Sequence, residues 1–171
     1  YHTFTSNNVE LLDRLYINDG KGNFRKDKDA LPQVGGSNAT VAAADVNGDG
    51  SNDIFVGGRV VPGRYPEAPQ SYLLINDGAG KFSDQVTSLA PAIERLGMVT
   101  DAAWVDINSD GRQDLIIVGE WMPITVFENT ANGFLLATEK YFDKSYKGWW
   151  NTLTIADING DEVANLLVGN V

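Results

Sequence analysis

Apolar runs of a few residues, bounded by glycine or aspartate, alternate along the chain with polar stretches rich in Asp, Asn and Gly. The runs "TVAAAD", "DAAWVD" and "TLTIAD" each lead into an acidic stretch, and after it come "IFVGG", "LIIVG" and "LLVGN". Runs this short, with glycine at their borders, suit extended chain and not helix, so each pair reads as two strands joined by the acidic turn. A second pattern links "LYINDGKGNF" (15–24), "LLINDGAGKF" (73–82) and, more loosely, "VFENTANGF" (126–134). Asn and Gly between apolar runs tolerate positive φ, which is the chemistry of a hairpin turn.

The two patterns interleave in a fixed order, so each repeat contributes four antiparallel strands. The acidic turns open at Asp45, Asp106 and Asp157, spaced 61 and 51 residues apart, and nine residues before each stands a glycine: Gly36, Gly97 and Gly148. The predicted units are a half repeat over 12–35, repeats over 36–96 and 97–147, and a second half over 148–171. A four-stranded unit this small cannot bury both faces alone. The small side chains at Ala42, Ala43 and Ala44 suit a crowded place where sheets converge, and radial stacking as β-propeller blades satisfies both conditions. A β-sandwich with acidic turns is the alternative. The stretch "RVVPGRYPEAPQ" (59–70) holds three prolines, which exclude a central strand and predict a loop. Two full and two half repeats fall short of the four to eight blades of a usual propeller. The expectation is a piece of a longer ring, or an open arc whose unpaired edges pair with another copy.

Composition narrows the function classes. The chain has 171 residues, 43% of them hydrophobic, enough to bury a core. Its net charge of −10, with 13 scattered basic residues, argues against nucleic acid, whose backbone demands clustered Lys and Arg. With no cysteine, disulfides, thiolate metal sites and a cysteine nucleophile are excluded. No apolar run approaches the roughly 20 residues that span a bilayer. The sequence begins at Tyr1 without a charged-then-apolar leader, and the expectation is a soluble, trimmed chain.

The acidity is local. Of the 23 acidic residues, eight are aspartates of the three turns, and a divalent cation in each turn would take the net charge from −10 to −10 + 6 = −4. Oxygen donors at positions 1, 3, 5 and 9 of a tight turn, with a main-chain carbonyl from position 7, suit a hard cation taking six to eight oxygens at about 2.3–2.6 Å. Calcium fits best. Zinc and copper call for His or Cys, and the one histidine, His2, stands beside the terminus. An EF-hand starts with the same residues but needs a glutamate at position 12; here that position is Val56, Ile117 and Val168. A metal-free Asx turn is the plain alternative.

"DVNGDGSNDIFVGG" and "DINSDGRQDLIIVGE" resemble the FG-GAP and VCBS repeats of integrin α-subunit propellers and of bacterial surface proteins, over about residues 12–171. The stretches "GGRVVPGRYPEAPQSYLLINDG", "GEWMPITVFEN" and "GWWNTL" are similar to secreted bacterial VCBS-repeat proteins. The literal Phe-Gly and Gly-Ala-Pro signatures are missing, with Gly57 and Gly58 near the place of the latter. The resemblance implies a seven-bladed, integrin-like ring with calcium-stabilised blades and a binding role at the cell surface or outside it. Carried over by position, the first site would use Asp45, Asn47, Asp49 and Asp53 with the Ser51 carbonyl. The second would use Asp106, Asn108, Asp110 and Asp114 with the Arg112 carbonyl. The third would use Asp157, Asn159, Asp161 and Asn165 with the Val163 carbonyl. In that third turn Glu162 replaces a glycine and Asn165 replaces an aspartate, so a weaker or distorted site is expected.

No catalytic constellation is present: there is no Gly-x-Ser-x-Gly elbow and no phosphate loop. Glu120 and Glu128 could be imagined as a glycosidase pair, but solvated surface charge is the ordinary reading of such residues. The leading expectation is a non-catalytic, calcium-supported module that binds a protein or glycan, with the cation in a structural role. A bound ion would stabilise the folded chain by about 2.7 kcal/mol when free calcium is 100 times its dissociation constant. A lectin-like propeller, or an accessory domain of a secreted polysaccharide-degrading enzyme, is the alternative. Tyr65, Trp121, Trp149 and Trp150 are the aromatic candidates for ligand stacking, with packing between blades their expected role. Arg59 and Arg64 are expected to be solvated loop residues.

Overall fold

A computed structural model of the chain describes residues 9–170. The regular structure of the described residues is almost wholly β. A hairpin of β1 (Leu15–Asn18) and β2 (Phe24–Asp27) comes first. A four-stranded antiparallel meander follows: β3 (Ser37–Ala44), β4 (Asp53–Val60), β5 (Tyr72–Asn76) and β6 (Phe82–Asp84). The next repeat builds the same meander from β7 (Met98–Val105), β8 (Asp114–Pro123), β9 (Thr125–Thr130) and β10 (Gly133–Leu136). The last pair is β11 (Lys147–Ala156) and β12 (Asn165–Asn170). All three predicted hairpin turns form where the Asn/Gly clusters lie, between β1 and β2, β5 and β6, and β9 and β10.

Why the blades stack is legible in the second strands. In β4 and β8 the residues after the opening aspartate are buried almost without alternation, because the two side-chain faces meet two different neighbours. Phe55 on β4 points forward into the core shared with the second repeat, which includes Leu115, Ile117 and Phe127. Val56, the next residue, points backward into a core with Val34, Tyr72 and Leu74. The second repeat copies the rule: Ile117 packs backward, while Ile116 and Val118 pack forward against Leu153 of β11 with Trp150 and Leu166 at its margin. Period-two alternation along one strand thus cements three successive units. The first strands lie at a different place. On β3 half-buried positions alternate with exposed ones such as Val41, and β7 packs beside both β3 and β11.

Three details depart from the sequence reading. The loop expected over 59–70 starts later, because Arg59 and Val60 still belong to β4; the prolines at 62, 66 and 69 leave those two amides free to pair. One-turn helices α1 (Val86–Leu89) and α2 (Thr138–Tyr141) link successive repeats, with Val86 fully buried. The blades are also not all separate sheets. The end of β8 runs on past its own blade and pairs with β11 through Glu120↔Trp149, Gly148↔Met122 and Lys147↔Pro123, which fuses the second blade with β11 and β12 into six strands. A bulge makes this possible: the register shifts between Gly148 and Trp149, and Trp121 opposite has φ 60°. Gly58 and Gly119, at equivalent places in β4 and β8, allow close approach. A Cβ on Gly58 would sit 2.3 Å from the Gln70 carbonyl oxygen, and on Gly119 2.2 Å from that of Met98. No helix among the described residues is long and apolar enough to cross a membrane.

Candidate metal centre

The acidic turn between first and second strands takes one conformation three times. In the first, the Asp45 carboxylate accepts the amides of Gly48 (2.7 Å), Asp49 (3.2 Å) and Gly50 (2.8 Å). Asn47 Oδ1 accepts Asp49 N–H, and Asp49 Oδ1 accepts Ser51 N–H. In the second, Asp106 takes the amides of Asp110 and Gly111, Asn108 takes Asp110 N–H, and Asp110 takes Arg112 N–H. In the third, Asp157 takes Gly160, Asp161 and Glu162, and Asp161 takes Val163 N–H. Short polar side chains hold the turn by bonding their own backbone.

Position 9 does something else. Asp53 is fully buried, and its two oxygens accept Val46 N–H (3.1 Å) and Asn76 N–H (2.8 Å), tying the turn to β5. Asp114 repeats this with Ile107 N–H (3.1 Å) and Asn129 N–H (2.7 Å) of β9. Asn165 keeps only the first bond, from Ile158 N–H. Burial pushes both Asp53 and Asp114 above the usual carboxylate range. The accepted amides oppose that, and the carboxylates at 45 and 49, or 110 and 128, add to it. By contrast the Asn47 amide and Ser51 N–H hold Asp49 low, and Glu162 N–H holds Asp157 low. Among the described residues no Lys or Arg is ion-paired with Asp53 or Asp114.

The structure places the predicted donors of each turn in one tight turn, with the side chains at positions 1, 3 and 5 bonded to amides of that same turn. No group of three or more His, Cys, Asp or Glu side chains among the described residues forms a cage by itself; each donor set is mixed, with an Asn amide and a main-chain carbonyl beside the carboxylates. His2 lies outside the described residues. The third turn is strained as expected, with Glu162 at φ 65°, yet its hydrogen bonds match the others. Ser109 at φ 60° is a second strained position, equivalent to Gly48 and Gly160. Glu162→Gly is expected to stabilise the chain by up to about 1 kcal/mol by removing left-handed strain, a rise in melting temperature of about 2–4 °C by calorimetry.

Two constellations escaped the sequence reading. Thr40, Asp101 and Thr152 each stand five residues before an opening aspartate, and they meet: Asp101 accepts the Thr40 hydroxyl (3.2 Å), the Thr152 hydroxyl (3.0 Å) and Leu153 N–H (2.9 Å). A carboxylate inside the apolar run "TDAAWVD" was the available signal. Arg59 and Glu120 also hold equivalent positions and form an ion pair across adjacent blades, with Glu120 buried. Arg59 is therefore not a solvated loop residue, whereas Arg64 is exposed and pairs with Glu67. Glu120 and Glu128 are not a pair, since Glu128 is held by Lys140 and Tyr141.

The aromatic candidates divide. Trp150 packs at the margin of the second core and its indole donates to the Tyr146 carbonyl, the expected role. Tyr65, Trp121 and Trp149 instead gather at the surface, at the end of β8 remote from the acidic turn. Seven residues of strand separate Asp114 from Trp121, roughly 23 Å at about 3.3 Å per residue.

The family model for the FG-GAP-like repeat matches residues 4–56 and 106–168, spans that include all three acidic turns. The chain belongs to the FG-GAP-like repeat family. Blades of antiparallel strands stacked through both faces of their second strands are what such a β-propeller repeat requires, so family and fold agree. A search of the curated proteins finds no match to this FG-GAP-like chain.

The Arg59–Glu120 pair yields a pH prediction. The Arg59 guanidinium, with help from the Trp149 indole, holds the Glu120 carboxyl below the usual glutamate range. The folded value being the lower one, the pair contributes fully above the ordinary value near ~4.3 and is lost as pH falls through the folded value. Urea midpoints measured from neutral pH down are expected to fall less steeply below about pH 4 in Glu120→Gln than in the parent.

Proposed function

We propose that the chain is a calcium-binding, non-catalytic β-propeller module of a secreted or cell-surface protein, with the cations structural and the ring surface serving adhesion or protein interaction. The observation that carries this reading is one oxygen-lined turn, in which the opening aspartate accepts the amides of positions 5 and 6 and the position-5 aspartate accepts that of position 7, in three successive repeats. In the first two turns a buried carboxylate with no ion-pair partner, Asp53 or Asp114, closes a turn that carries further acidic and amide oxygens, residue types that suit a hard cation. Asp45, Asn47, Asp49, Asp53 and the Ser51 carbonyl would hold the first ion, and their counterparts the others. The ion would supply the positive charge that lets clustered carboxylates coexist.

Calorimetric titration with calcium is expected to show two tighter sites and a weaker third, where a carboxylate is lost at Asn165. Absence of heat, with a melting curve unmoved by calcium or chelator, would overturn the proposal. Extracytoplasmic placement follows from the same reading, because extracellular calcium keeps even weak modules filled. Among the described residues β12 has a partner on one edge only, and Tyr16, Phe24 and Leu167 are exposed. Further blades of a larger, seven-bladed ring, or a second copy, would cover these surfaces. Light scattering with and without calcium distinguishes a monomer from a pair.

A further inference from the structure

Between the connection over residues 61–71 and the junction of β8 with β11 lies a cavity of about 510 Å³, lined by Tyr65, Pro66, Met98, Glu120, Trp121 and Met122 among others. This is within the ~300–1,000 Å³ of small-ligand sites. Its two aromatic lining residues are open, Trp121 62% and Tyr65 56% exposed, and Trp149 beside them is 40% exposed. The Trp121 ring is fixed from two sides. Its indole N–H donates to the Tyr65 hydroxyl at 2.9 Å, and the Trp149 ring lies 4.9 Å away at 46°. Beside it Glu120 is 94% buried, with a carboxylate that already carries Arg59.

Trp121 is an expensive residue here. It occupies the left-handed position of the bulge, at φ 60°, where glycine would serve the backbone better. Its ring adds no core, since it faces solvent. A strained backbone that presents an exposed, immobilised indole is the mark of a site selected for contact.

We propose that this cavity is a carbohydrate site that takes a neutral pyranose ring on the face of Trp121. The chemistry narrows the ligand by elimination. An added cation would compete with Arg59 for Glu120, and an anion would meet the Glu120 carboxylate in a chain of net charge −10. A neutral polyol meets neither obstacle. Its C–H face suits the negative face of an indole, while its hydroxyls can donate to the Glu120 carboxylate and exchange hydrogen bonds with the Tyr65 oxygen. Apolar Pro66, Met98 and Met122 line the cavity beside them. The site lies far from the acidic turns and does not depend on whether they hold calcium.

The test uses the whole chain and four neutral probes: cellotetraose, xylotetraose, mannotetraose and chitotetraose, with tryptophan fluorescence and titration calorimetry as readouts. At least one probe should quench fluorescence and release heat. Trp121→Gly should weaken that binding at least tenfold without lowering the melting temperature, because the glycine relieves the bulge. Trp149→Ala, which unpins the indole, and Tyr65→Phe, which unpins it and removes one hydroxyl contact, should weaken binding less than loss of the stacking ring and serve if Trp121→Gly does not fold. Repetition in chelator separates this site from the acidic turns, since binding should persist there below the melting temperature. Failure of all four sugars to bind the parent chain, or unchanged affinity in the folded Trp121 and Trp149 variants, would overturn the proposal.

Discussion

Replacing Asp114 with alanine should destabilise the chain by about 3–4 kcal/mol, measured by urea unfolding in the presence of a chelator. The substitution strands two amides at once, Ile107 N–H and the buried Asn129 N–H, and each unsatisfied buried group costs ~1–3 kcal/mol. Chelator matters because it removes any contribution of a bound cation, leaving the carboxylate's work as an acceptor between the turn and β9. Asp114→Asn should recover part of the loss. The third repeat shows why: Asn165 still accepts Ile158 N–H, but an amide has only one acceptor oxygen to offer. A loss below about 1 kcal/mol for the alanine variant would mean that water replaces the carboxylate, and that the turn is held by Asp106 instead.

The second large effect is expected at Asp101. This carboxylate accepts hydrogen bonds from Thr40 on β3 and from Thr152 and Leu153 on β11, so it ties three successive first strands from the middle of the central one. Hydrogen bonds to charged acceptors contribute ~1.5–3 kcal/mol each; with the bond from exposed Thr152 discounted and the other two taken at the lower end, Asp101→Ala should cost about 3 kcal/mol in total. Hydrogen exchange offers a sharper readout than melting. Protection should drop at Leu153 and along β11 while β4 and β5 keep theirs, because the cores behind Phe55 and Leu73 do not include the tie. Uniform loss across the chain would show that Asp101 acts on global stability alone.

Much of this fold was legible because its signals are local. Asn/Gly turn chemistry placed the three hairpins, and alternating burial needs only that Phe55 and Val56 follow one another in a strand. The order of the acidic turns disclosed the repeat, and donors two residues apart in a tight turn must be near one another. What was missed depends on distances the sequence does not record. Arg59 and Glu120 are 61 residues apart, and only stacking in register makes them neighbours. Val60 reads as part of the proline loop, because whether β4 continues through it depends on the partner strand at Ser37. The surface gathering of Tyr65, Trp121 and Trp149 follows from a bulge that no propensity predicts, since the residue with positive φ is a tryptophan. The bonds that the Asn76 and Asn129 amides donate to Asp53 and Asp114 were hidden for a further reason: those asparagines were already accounted for by their turns.

Where equivalent positions of neighbouring repeats touch, the residues are unlike: arginine against glutamate, threonine against aspartate against threonine. Such contacts act as addresses. If the second repeat were followed by a copy of itself, Glu120 would face its own twin and Asp101 another aspartate, and both junctions would repel. The sequential order of the blades is therefore written in a handful of side chains, and an array that grows by duplication must diverge at those places before its new member can dock.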